Sequence, residues 1–81
     1  MTRAEILGLV RDHLSEELEL PAERIQEDAR FKEDLDADSL DLYELVMELE
    51  DRYGISVSEE QASRIATVGD AVDFVLEHAP A

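Results

Sequence analysis

The chain has no cysteine and no tryptophan. Without cysteine there is no disulfide staple, no thiolate nucleophile and no sulfur ligand for a metal. Cations are scarce: 7 Lys and Arg stand against 22 Asp and Glu, a formal net charge of -15. That balance argues against nucleic-acid binding, which needs cationic groups to displace phosphate counterions. It favours basic protein partners met by fast, salt-sensitive encounter. No apolar run approaches the ~20 residues that span a bilayer. The N-terminus lacks a basic segment followed by an apolar stretch, so no signal peptide is evident. A cysteine-free chain fits a reducing compartment, and the expectation is a soluble, cytoplasmic protein, monomeric and without membrane insertion.

What is present is periodic. Hydrophobic residues make up 44% of the chain, too many for a disordered acidic tail. At 81 residues the chain is expected to be one domain, 1–81, with a single modest core. Thr2-Arg3-Ala4-Glu5 has the capping-box pattern, and Ile6, Val10, Leu14 and Leu18 follow at spacing four, with Leu7 beside them. This predicts a helix to Leu18. Pro21 breaks it, and Pro21–Ile25 suits one short turn. The connection up to Ala37 is long and polar, so it needs anchors. Leu20, Ile25, Phe31 and Leu35 are expected to peg it into the core.

A second helix is predicted from Asp38 to about Tyr53. Asp38 suits the N-cap, and Asp41 suits the positive helix end. At about 100° per residue, Leu42, Leu45, Val46, Leu49 and Tyr53 share one side, the core side. Leu40, Tyr43 and Met47 fall on another, bordered by Glu44 and Asp51. That surface is not needed to fill the core and suits docking, with apolar contact inside an acidic rim. Gly54 ends the helix. Ile55 and Val57 alternate too briefly for a sheet and are expected to be pegs. Ser58-Glu59-Glu60-Gln61 is another capping box, opening a short helix to about Ile65. Thr67 and Asp70 open the last helix, whose apolar face holds Val68, Ala71, Val72, Val75 and Leu76, with Pro80 beyond its end. The expected fold is all-α: a four-helix bundle, three helices longer and one short, with the long loop between the first and second.

The chemistry concentrates in residues 34–42, where Ser39 stands among Asp34, Asp36, Asp38 and Asp41. Serine hydrolysis needs a positioned base and an oxyanion hole. The only histidines are His13 and His78, and the glycines of a nucleophile elbow are missing. Asp34, Asp36 and Asp38 match the first, third and fifth positions of an EF-hand loop. Its sixth position, a glycine, is Ser39, and its twelfth, a glutamate, is Leu45. A dedicated calcium loop fails there, and no metal ligand is assigned. Post-translational attachment fits better, because a hydroxyl in the first turn of a helix is exposed and faces free backbone N–H groups. No base is needed in this chain, since a modifying enzyme can supply it. An acidic interaction or divalent-cation module without any arm is the alternative of another class.

The run from Phe31 through Asp34-Leu35-Asp36-Ala37-Asp38-Ser39-Leu40-Asp41-Leu42 to Glu50 closely resembles the acyl carrier proteins of type II fatty-acid and polyketide synthesis. The resemblance continues through Tyr53-Gly54-Ile55 and 65–75. It implies a non-enzymatic carrier of acyl thioesters on phosphopantetheine attached to Ser39, beside the cap Asp38. The arm's thiol would explain how a cysteine-free chain does thiol chemistry. Fatty-acid synthesis is the expected pathway, with polyketide or other specialised carriage as the alternative. The resemblance implies partners: a phosphopantetheinyl transferase and basic-patched acyltransferase, ketosynthase, ketoreductase, dehydratase and enoyl reductase. It implies docking through Leu40, Glu44, Met47, Glu50 and Asp51. It makes Val46, Leu49, Ala62, Ile65 and Ala71 candidates to line an acyl pocket. Two positions depart from the family. Asp36 stands where many members have glycine, so the backbone there should not require a glycine-only conformation. Tyr43 places an aromatic where a smaller residue is frequent.

Overall fold

The structure is a computed structural model and describes residues 2–79. Helix α1 spans Arg3–Leu18, α2 Ser39–Tyr53, α3 Glu59–Ser63 and α4 Val68–His78, with one 3-10 turn at Ala22–Arg24. Among the described residues there is no strand, only an isolated antiparallel bridge between Arg30 and Thr67. This is the expected all-α arrangement.

Each α-helix starts at a residue whose side chain satisfies an N–H that the helix leaves free. Thr2 Oγ1 accepts from the Glu5 N–H at 3.2 Å. The reciprocal half of that box does not form among the described residues. Both halves form at Ser58/Gln61 and at Thr67/Asp70. Helix α3 is shorter than expected, ending at Ser63, with Ile65 buried just beyond it. Gly54 takes the left-handed conformation (φ 64°) that ends α2 and donates its N–H to the Glu50 carbonyl. Pro80 lies outside the described residues.

The stripe Ile6, Val10 and Leu14 is fully buried, and Leu7 and Leu18 pack partly against it. From α2 come Leu45 and Leu49, and from α4 Val68, Ala71, Val72 and Val75. Apolar assignments change at three positions of α2 and α4. Leu76, at the edge of the α4 stripe, is 41% exposed. Leu42 and Tyr53 are only half-buried, and Leu42 borders a cleft beside Ser39. The ends of α1 and α2 run in opposite directions: Glu17 meets Glu44 near one end, and Tyr53 feels the charge of Glu5 at the other. Arg3 ties α1 to the loop and to α4 through Glu27 (2.7 Å) and Asp73.

The loop between α1 and α2 is anchored, as its length requires. Ile25, Phe31 and Leu35 are buried; Leu20 packs only partly. Ala29 and Ala37 are buried as well, although nothing in their local pattern marked them. The backbone does the rest. The Phe31 N–H donates to the Ala66 carbonyl at 3.0 Å, the Val68 N–H to Ala29 at 3.0 Å and the Gly69 N–H to Glu27 at 2.7 Å. A Cβ on Gly69 would sit 3.0 Å from that Glu27 oxygen, so the approach depends on glycine. The loop is thus laced onto the start of α4.

At Asp36 φ is 55°, in the left-handed region that favours glycine without requiring it. Aspartate is among the few other residues that visit this region readily, having a short polar side chain. The turn demands the conformation whichever residue occupies it: Ala37 must fold back to donate its N–H to the Phe31 carbonyl at 2.8 Å.

Candidate functional site

Ser39 is the first residue of α2 and is exposed. The cap belongs to its neighbour. Asp38 Oδ1 accepts the Asp41 N–H at 3.0 Å, and Asp41 Oδ2 accepts the Asp38 N–H at 3.2 Å. Sequence reasoning assigned Asp41 only to the helix dipole. The reciprocal bond was legible as Asp-x-x-Asp, a variant of the usual box. Its consequence is chemical: Ser39 is spared from capping, and its hydroxyl makes no hydrogen bond among the described residues.

The three aspartates of the EF-hand-like pattern are used separately. Asp34 Oδ2 accepts the Arg30 N–H at 2.8 Å, and that bond, with the Arg30 guanidinium, holds its carboxyl below the ordinary range. Asp38 is committed to the cap, and Asp36 is exposed on its left-handed turn.

The carboxylates that do converge are Glu17, Asp41 and Glu44, with oxygens within 4.8 Å of one another. Glu17 comes from α1, so no local pattern could have joined it to the others. Its carboxyl is pushed above the ordinary 4.5, chiefly by a hydrogen bond to Glu44, then by desolvation and by the charges of Glu44 and Asp41. A carboxyl whose folded pKa is raised favours the folded state when protonated. Its contribution is full below its unfolded pKa and is lost as pH rises through the folded one. Acidification from neutrality toward pH 4.5 is therefore expected to stabilise the fold at this site. Glu17→Gln should raise the melting temperature at neutral pH and flatten its dependence over that window. Equal pH dependence in the two proteins would remove Glu17 as the cause.

The second face of α2 is exposed. Leu40 is 65%, Tyr43 48% and Met47 61% accessible. Asp51 is exposed and Glu44 half-buried beside them. Glu50 differs: its Oε2 accepts the Val57 N–H at 2.9 Å, which fastens the α2–α3 connection.

Two adjoining clefts run from Ser39 along the α2–α3 side. The first, about 160 Å³, is lined by Ser39, Leu42, Tyr43 and Ala62, with Lys32 and Glu59. The second, about 280 Å³, continues over Leu42 and Ala62 to Phe31 and Ile65, again with Lys32. Of the five acyl-pocket candidates, all are buried. Ala62 and Ile65 border this space; Val46, Leu49 and Ala71 do not line either cleft. Phe31 and Leu42, read as core, line it instead. Helical angle says which residues face inward, and packing alone says which of those meet a void. A larger cleft of about 350 Å³ between α3 and α4, with Arg64, Asp73, Phe74 and His78, does not reach Ser39.

Residues 8–75 match the family described as the phosphopantetheine attachment site. The chain is 45% identical to the acyl carrier protein of Rubrobacter xylanophilus, over 96% of each chain. It is 41% identical to that of Lactobacillus johnsonii, over 96% of this chain and 98% of the other. A solved structure of the acyl carrier protein from Enterococcus faecalis superposes with a TM-score of 0.83 at 39% identity, covering 98% of this chain and all of that one. With an anchored loop delivering a free serine to a helix start, and full-length similarity of this degree, the chain belongs to the acyl carrier proteins, whose prosthetic group is covalently attached phosphopantetheine.

Proposed function

We propose that Ser39 bears the phosphopantetheine, and that the protein carries the acyl intermediates of fatty-acid synthesis on it without being a catalyst itself. The observation that carries this is the exposed Ser39 hydroxyl on the first residue of α2, freed by the Asp38–Asp41 box. The surroundings fit the group. A phosphodiester suits the free N–H groups and positive end of a helix, and the clefts beside Ser39 accept a flexible arm. When bound, the arm supplies a terminal thiol on which acyl groups ride as thioesters. This chain orients the attachment oxygen and leaves its deprotonation to the transferase. It also offers apolar surface at Leu42, Ala62 and Ile65, where each buried CH₂ contributes about 0.8 kcal/mol and keeps water from the thioester.

Incubation with coenzyme A, Mg²⁺ and a promiscuous phosphopantetheinyl transferase is expected to add one phosphopantetheine by intact mass. Fragmentation should locate it on Ser39. A mass gain elsewhere, or none with several competent transferases, would sink the assignment.

Partners are read from the α2 face. Leu40, Tyr43 and Met47, with Glu44 and Asp51, suit the basic patches of the transferase and of the synthase enzymes, ketosynthase among them. Glu50 adds charge at the edge while holding Val57. The absence of cysteine suits a cytoplasmic setting, and among the described residues no helix is long and apolar enough to cross a membrane. Glu44→Lys should weaken binding of the loaded protein to a fatty-acid ketosynthase about tenfold or more at low salt, whereas Glu77→Lys, on α4, should do little. The gap should narrow as salt rises. Equal effects would mean bulk charge drives the encounter. Failure of the loaded wild type to bind that enzyme, with binding to a polyketide ketosynthase, would move the protein to polyketide synthesis.

A further inference from the structure

Lys32 is the only lysine in the chain. It is exposed, yet its backbone is held firmly between the buried Phe31 and Leu35. The Phe31 N–H is bonded to Ala66, and the Phe31 carbonyl accepts from Ala37. Most cations here are already engaged. Arg3, Arg30, Arg52 and Arg64 pair with carboxylates, and Arg11 donates to the Ile25 carbonyl at 2.8 Å. Among the described residues Lys32 and Arg24 have no such partner. Arg24 sits on the 3-10 turn and lines neither cleft near Ser39. Lys32 lines both, and shares the smaller one with Ser39.

The charge close to Ser39 is mostly negative. Asp38 and Asp41 cap the helix there, and Glu59 lines the same cleft. A phosphodiester at Ser39 adds a further negative charge to this group. Lys32 is the uncommitted cation lining the same space.

We infer that Lys32 anchors the phosphodiester of the arm and so tips the arm into the cleft beside α3, away from the Leu40–Met47 face. This rests on the attachment of phosphopantetheine to Ser39. The ammonium is a compact charge on a flexible stem and can follow a phosphate that is not held rigidly. With the phosphate pinned on the Lys32 side, the rest of the arm is directed along Leu42 and Ala62. Releasing it exposes the thiol end to a partner docked on α2. Lys32 is thus a positioning residue that sets how often the arm is stored or presented. Its rival for the ammonium is Glu59, in the same cleft.

The sole lysine makes the test clean. In protein labelled with ¹⁵N-lysine, the single side-chain ammonium signal should shift on conversion from the unmodified to the loaded form. In loaded protein the ³¹P resonance should move in Lys32→Gln and stay near its wild-type position in Lys32→Arg. The population of the docked arm should fall roughly two- to fivefold in Lys32→Gln, the range of an exposed ion pair, and the difference should fade with salt. An unchanged ³¹P signal in Lys32→Gln overturns the inference. So does an ammonium shift that disappears in Glu59→Gln while phosphorus is unmoved, which would assign Lys32 to Glu59. Intact mass separates the two failures. No added phosphopantetheine defeats the Ser39 reading, whereas a full mass gain with silent spectra defeats the Lys32 inference alone.

Discussion

Ser39→Ala is expected to accept no phosphopantetheine while keeping the stability of the parent. The two halves of this result come from one piece of geometry. Ser39 is exposed at the first position of α2, and Asp38 and Asp41 do the capping. Removing the hydroxyl leaves every described backbone bond at the helix start in place, so the change in stability should stay within about 0.5 kcal/mol. Loading should fall below detection, because no other serine stands in the first turn of α2; Ser56 lies in the α2–α3 connection and lines neither cleft. Ser63 borders the same cleft, but its hydroxyl donates to the Glu60 carbonyl at 2.6 Å. Ser58 accepts from Gln61 and Ser15 donates to Leu20. Asp38→Ala is the informative contrast. It removes a cap worth about 1 kcal/mol and should slow loading by fraying the turn that displays Ser39, with the final mass gain still one arm. Residual loading of Ser39→Ala, or a large drop in its melting temperature, would contradict this account of the site.

Phe31→Ala is expected to be the most destabilising of the changes considered. Phe31 is 2% exposed, and a buried Phe→Ala replacement costs about 3–5 kcal/mol. For a domain of this size even about 3 kcal/mol lowers the melting temperature by roughly 12–24 °C, a large share of the about 5–15 kcal/mol that native domains possess. The consequence should also reach function. The Phe31 backbone bonds Ala66 on one side and Ala37 on the other, and its buried ring holds that backbone in the loop leading to Asp38 and Ser39. Loading by the transferase should slow in the variant even where it remains folded, although Phe31 lies eight positions from Ser39 in sequence. Phe31→Leu should retain more of both properties by keeping most of the apolar volume. Thermal denaturation and a loading time course read the two effects. A melting point lowered by less than about 5 °C, corresponding to about 1 kcal/mol, would show that the loop is held elsewhere.

Much of this protein is legible in one dimension because its physics there is local. Apolar residues at spacing four can bury one stripe of a helix, and Ser, Thr or Asp ahead of them satisfies the free N–H groups. Those rules located the four α-helices, the cap at Asp38 and the exposed face of Leu40, Tyr43 and Met47. The local rules failed where a remote segment took part. Leu76 fits the apolar spacing of α4 and is still exposed, since no neighbouring segment covers that edge of the stripe. Asp36 adopts a left-handed turn because Ala37 must reach Phe31. Glu50 has the spacing of a surface residue and instead holds Val57.

The sequence by itself determined an acidic, cysteine-free helical chain with a serine at the start of its second helix. Periodicity, capping chemistry and net charge act over a few residues or over the whole chain, so they need no coordinates. Tertiary structure decided the rest. It brought Glu17 from α1 to Asp41 and Glu44, laced the loop to α4 through Gly69, and opened a cleft at Leu42, Ala62 and Ile65 rather than at Val46, Leu49 or Ala71. It also set the only lysine beside Ser39. Voids, carboxylate clusters and ion pairs belong to segments that meet only once the core has packed, and their positions follow from how it packs.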